Sequence, residues 1–186
     1  MNAYSIVLFL HIVGALGFFV ALGLEWTGLS QLQSAMSLEQ VRGSMGILKN
    51  VRKLGFASML TAVITGIYLM LTAWGSQAWI LVTLGALVLV IALAQVVTAP
   101  RMMAVGKALV AEKGQLSTTF RSMANHPLLS ISIQIRVAIA LGIVFLKVAR
   151  PELGGSLLTI GVAIVLGLAA ALYMPRRARV PAESSL

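Results

Sequence analysis

The stretch that decides the fold is Tyr4–Leu24, YSIVLFLHIVGALGFFVALGL, an apolar run without one charged residue. Crossing about 30 Å of hydrocarbon as a helix takes roughly 20 such residues. Four more runs of that kind follow, at Leu54–Trp74, Ala78–Thr98, Leu128–Leu146 and Gly155–Met174. None alternates apolar and polar residues in the manner of a membrane barrel, and backbone groups in lipid must pair within their own segment, so the spans are helices. The expected architecture is an all-α, polytopic transmembrane bundle of five spans. Residues 1–174 form a single transmembrane domain, and 175–186 form a short basic tail.

Composition agrees. The chain has 186 residues, 59% of them hydrophobic and 10% charged, with a mean hydropathy of +0.98. Soluble domains carry about 25% charged residues, which excludes a water-soluble globular fold. Asp is absent, and the five acids (Glu25, Glu39, Glu112, Glu152, Glu183) are too few for a carboxylate-rich calcium or magnesium site. With no cysteine there is no disulfide framework, thiolate zinc site, iron–sulfur cluster or cysteine nucleophile.

Basic residues set the orientation. Arg42, Lys49, Arg52 and Lys53 lie between spans one and two, Arg101, Lys107, Lys113 and Arg121 between three and four, and Arg176, Arg177 and Arg179 in the tail. All eleven fall on one side; the other has only Lys147 and Arg150. The N-terminus is therefore expected outside and the C-terminus in the cytoplasm. The net charge of +9 follows from this topology and from attraction to anionic lipid headgroups. Membrane lipids are expected partners, with a second copy or a membrane-complex subunit as another. Nucleic acid is not, because the basic residues flank spans instead of clustering with aromatics. A cleaved leader and lipid anchors are not expected either.

The joints carry their own signals. Ser37 and Gln40 form a capping-box pattern, and Val41, Met45, Leu48 and Val51 recur at helical spacing opposite Arg42, Lys49 and Arg52. That predicts a short helix lying on the membrane surface and leading into span two. Pro100 to Lys113 extends span three, Gly114 stops it, Ser117 starts another turn, and Asn125-His126-Pro127 caps span four. Trp26, Trp74, Trp79 and Tyr173 fall at the expected interfaces.

An ionisable residue inside a span is costly and so a candidate for function. His11, Glu25 and Arg136 qualify. His11 lies about 10 Å below the outer end of its span at 1.5 Å per residue, with Gly14 and Ala15 leaving room for a neighbouring helix or a flat ring. A neutral imidazole there has three uses: a bond to a carbonyl or hydroxyl on the next helix, ligation of haem iron or copper, or contact with a quinone or a proton path. Tyr68 and Met70 lie at a similar depth, Tyr68 as a hydrogen-bond partner and Met70 as a second iron or copper ligand. His126, at the opposite border, reads as a helix-start residue. Arg136 near the middle of span four reaches towards Glu25 at the end of span one. The two read as a structural ion pair, the alternative being that Arg136 holds an anionic group such as a haem propionate or lipid phosphate. Lys147 reads as a headgroup contact.

The segment Leu8-Phe9-Leu10-His11-Ile12-Val13-Gly14-Ala15 resembles the LHxxGA opening of small bacterial membrane proteins of the copper-resistance-D-like group, whose relatives include the haem-binding membrane protoporphyrinogen oxidase. Thr65-Gly66-Ile67-Tyr68, Ile135-Arg136-Val137, Phe145-Leu146-Lys147 and Arg150-Pro151 are similar to an uncharacterised branch of that group. The resemblance implies a helical bundle in a bacterial cytoplasmic (inner) membrane, with haem b as the cofactor contacted by His11 and a basic residue deep in a middle span, for which Arg136 is the candidate. The expected function is thus binding of haem or a quinone-like redox ligand through His11, with Tyr68, Met70 and Arg136 as further cofactor contacts. The alternative is a non-catalytic accessory subunit, or a small solute or metal permease, without a cofactor. No catalytic motif selects a reaction.

Overall fold

The computed structural model describes residues 2–112 and 115–173. Among them there is no strand, and five helical rods are long and apolar enough to cross a membrane, which makes the chain a multi-pass membrane protein. The first rod is α1 (Ala3–Ser34). The second is α2 (Leu38–Leu69) continued by a π-helical turn, Met70–Trp74. The third joins α3 (Ala78–Ala92), a π-helical stretch Leu93–Thr98 and α4 (Ala99–Ala111). A short α5 (Thr118–Ala124) precedes α6 (Pro127–Ala149), and α7 (Leu153–Tyr173) is last. The stop at Gly114, Lys113, the end of span five at Met174 and the basic tail lie outside the described residues.

Connections follow the capping chemistry. Ser37 and Gln40 make a reciprocal capping box at the start of α2. Ser117 accepts from the Phe120 amide to start α5, and His126 Nδ1 accepts from the Leu128 amide with Pro127 at the first position of α6. The turn after Trp74 runs through Gly75 at φ 71°, where a side chain would be strained. The π-helical stretch Leu93–Thr98 has a local cause. Pro100 has no amide proton and its ring crowds the preceding turn. The loosened carbonyls are recovered by side chains: Arg101 Nη1 donates to Val97 O at 2.8 Å, and Ser132 Oγ donates to Leu93 O at 3.4 Å.

The predicted surface helix is corrected. Residues 38–74 form one unbroken rod of 37 residues, about 55 Å at the helical rise, so it extends well beyond a hydrocarbon layer. The same apolar positions that suggested a helix on the membrane pack instead against neighbouring rods. Val41 is fully buried and shares a core with Leu29 and Leu32 of α1, Val105 of α4, Phe120 and Ala124 of α5, and Leu129 and Ile133 of α6. We call this half the basic end, because Arg42, Lys49, Arg52, Lys53, Arg101, Lys107 and Arg121 decorate it. The opposite half, the tryptophan end, holds Trp74 and Trp79 and a second core of Ala86, Val90, Ile139, Leu146 and Ile160.

Two pairings organise the bundle: α1 against α2, and α6 against α7. Helix α6 also touches α1 and α3 and is the central element, with Leu129, Ser132, Ile133, Gln134, Arg136, Ile139, Ala140, Gly142 and Leu146 all buried. Its polar residues therefore face other helices, the arrangement that makes them tolerable in a span. A Cβ added at Gly14 would lie 2.8 Å from Ala62 N and 2.9 Å from Ser58 O, so α1 and α2 meet backbone to backbone there.

Candidate functional site

His11 projects from α1 onto the α2 backbone one turn beyond that close contact. Its Nδ1 lies 2.9 Å from Ala62 O and 3.3 Å from Thr65 Oγ1. A carbonyl oxygen only accepts, so Nδ1 carries the proton. Thr65 Oγ1 donates to Thr61 O at 2.6 Å, leaving its lone pairs for the imidazole. Gly66 makes room for the ring: a Cβ there would be 3.0 Å from Cε1. In the neutral ring Nε2 is then a bare acceptor, and among the described residues it has no hydrogen-bond partner.

The ring lines a mainly apolar, partly open cavity of about 140 Å³ between α1, α2, α3 and α6. Ala15, Met70, Trp74, Trp79 and Lys147 share its wall. Trp74 stands edge-on to His11 with centroids 6.0 Å apart, and Trp79 is 6.2 Å from Trp74. Lys147 Nζ lies 5.4 Å from the Trp74 ring centre, and Arg150 Cζ 5.9 Å from that of Trp79. Both distances suit cation–π attraction. Arg150 ends α6 in the left-handed region, φ 47°, which turns it back towards Trp79. Two other donors of the wall are already used: Trp79 Nε1 donates to Gln77 Oε1 at 2.6 Å, and Thr83 Oγ1 to Trp79 O at 2.8 Å, which leaves the Thr83 oxygen as an acceptor.

Arg136 belongs elsewhere. It is 4% exposed and meets Glu25 two-pronged, Nη1 to Oε2 at 2.9 Å and Nη2 to Oε1 at 2.6 Å. Bidentate pairing of this kind fixes direction as well as distance. It ties α1 to α6, and Arg136 Nε is left buried without a partner among the described residues. Neither residue lines the His11 cavity.

Of the residues singled out from sequence, then, His11 and Met70 come together at one cavity. Tyr68 does not join them: it is 43% exposed and outside the wall, and Ala62 O and Thr65 Oγ1 occupy the hydrogen-bonding position expected of it. His126 caps α6 at the basic end. Trp74, Trp79 and Lys147 are the cavity residues that the sequence reading assigned to the interface alone. The sequence carries no signal for this, since the helical rise puts His11 about 10 Å below the outer end that these three mark. Among the described residues no three histidine or carboxylate side chains converge as a metal-binding group.

Fold and site together define a multi-pass helical membrane protein with a ring-sized apolar cavity near one face and a separate buried ion pair near the other. No family model, curated protein or solved structure matches the chain.

Proposed function

We propose that this protein binds a lipid-soluble, single-ring ligand of the quinone class in the His11 cavity, in a bacterial cytoplasmic membrane with the basic end inside. The observation that carries the reading is a histidine with one nitrogen anchored and the other unpartnered, on the wall of a mainly apolar space. Anchoring Nδ1 on a carbonyl orients the ring and its tautomer for whatever Nε2 meets.

Size separates quinone from haem. A cavity of about 140 Å³ matches the roughly 150 Å³ that accepts one benzene ring in an engineered protein core. A porphyrin, with four pyrroles, is larger than this space, so its size favours a single ring over haem, and no step is derived through haem.

The test uses the tryptophans in the wall. Quinones quench indole emission, so titrating decylubiquinone into protein in lipid nanodiscs should quench Trp74 and Trp79. Ala15→Phe, which fills the cavity one turn from His11 and keeps the imidazole, should abolish the saturable part. Equal quenching in both proteins would refute the reading. A Soret band in protein from haem-replete cells, lost in His11→Ala, would establish haem instead. Orientation is checked by single cysteines in this cysteine-free chain: Ser76 and Gly154 should label from outside intact cells, Gln115 only after permeabilisation.

A further inference from the structure

Resting on the ligand reading above, we infer that the site distinguishes oxidation states and favours the reduced, hydroxylated ring, a quinol, because His11 presents an acceptor to the ligand. The tautomer follows from partners that cannot be exchanged. Ala62 O accepts only, and the Thr65 hydroxyl proton is directed to Thr61 O, so both groups beside Nδ1 require a proton from it. Nε2 of the neutral ring accepts and cannot donate.

A quinone has ring oxygens that only accept; a quinol has the same oxygens as O–H donors. Facing Nε2, the quinone sets lone pair against lone pair, whereas the quinol donates a hydrogen bond. The donors of the wall do not discriminate. Lys147 and Trp74 are donors only, and ring oxygens of either form can accept from them. Trp79 Nε1 already donates within the protein, whereas Thr83 Oγ1, its proton given to Trp79 O, keeps lone pairs and is a second acceptor that favours the same hydroxylated form. Selectivity thus rests on the acceptors His11 and Thr83, since an acceptor left facing another acceptor in a mainly apolar cavity carries a penalty.

The inference concerns binding of a hydroxyl-bearing ring, and simple O–H donation is separable from any other property of the reduced form. Three ligands of one shape class serve: decylubiquinol, decylubiquinone, and decylubiquinol with both ring hydroxyls O-methylated. Each is titrated anaerobically into wild-type protein in nanodiscs, with displacement of one fluorescent quinone analogue as the common readout. The quinol should bind about tenfold more tightly than the other two, the equivalent of one hydrogen bond at 1.4 kcal/mol per factor of ten. In His11→Phe combined with Thr83→Val, which keeps a ring in place and removes both acceptors, the three should bind alike. Equal wild-type affinities for quinol and quinone would overturn the inference and leave the ligand reading standing. A methylated compound that binds as well as the quinol would overturn it too. Failure of all three to displace the analogue from wild type, or of the analogue to bind, would overturn the ligand reading itself. Because the decisive comparison is made in wild-type protein, a poorly folding variant does not blunt it.

Discussion

Two ionisable positions on α1, His11 and Glu25, are fourteen residues apart and solve the same problem in opposite ways. Glu25, its side chain a quarter exposed, meets a buried guanidinium through both oxygens. His11 spends one nitrogen on α2 and leaves the other at a cavity. A polar group that is consumed by its partner locks helices together; one that is half consumed can also receive a ligand. On the proposed reading, the basic end is structural and the tryptophan end carries the ligand chemistry.

The largest expected effect comes from breaking the lock. Losing one partner of a fully buried pair costs about 3–5 kcal/mol; Arg136→Met leaves the Glu25 carboxylate, a quarter exposed, beside an apolar core, which puts its cost at the lower end of that range. Denaturant titration in mild detergent should show that loss, while ligand binding at His11 changes little in the fraction that remains folded. Replacing both, Glu25→Gln with Arg136→Met, should cost clearly less than Arg136→Met alone. Additive losses in the double-mutant cycle would mean that the two side chains are not coupled.

Next is the seam that brings His11 to α2. Gly14→Val puts a branched side chain where even a Cβ would be 2.8 Å from Ala62 N, so the two helices must separate. Overpacking of this sort costs about 1–3 kcal/mol. Unlike the ion-pair variants, it should also weaken ligand binding, because the anchor of His11 is the carbonyl of Ala62 itself. Gly14→Val with normal binding would show that the imidazole does not depend on this seam.

How far the sequence foresaw this contrast depends on whether depth or direction was being asked for. Uncharged runs measure depth, and they located five spans, the level of His11 and the approach of Arg136 to Glu25. Direction around a helix is set by partners that the run does not name. Tyr68 and Thr65 differ by one turn, yet Thr65 faces α1 and Tyr68 is exposed, a difference decided by the close contact at Gly14. The apolar stripe Val41, Met45, Leu48 and Val51 indicated a helix but not its covering, since membrane surface and protein core are equally apolar. The residues that cover it, Leu32 and Phe120 among them, come from other rods. The cavity was illegible for the same reason: it exists only where four rods fail to fill the space between them. The π-helical stretch before Pro100 had a visible cause in that proline, whereas the one at Met70–Trp74 has no Pro or Gly within it to announce it.

The smallest effect sharpens the comparison most directly. His11→Ala removes a hydrogen bond worth about 0.5–1.5 kcal/mol net, and the hole it leaves adjoins an existing cavity and Gly66 instead of a close-packed core. Stability should therefore fall by about 1 kcal/mol, several times less than for Arg136→Met, while the saturable response of Trp74 and Trp79 to ligand disappears. His126→Ala is the matched control: it deletes the other histidine, loses a helix-start contact at the basic end, and should leave that response intact. If His11→Ala proved as destabilising as Arg136→Met and left ligand response unchanged, the imidazole would be a second lock, and the division between a structural half and a chemical half would fail at the residue that defines it.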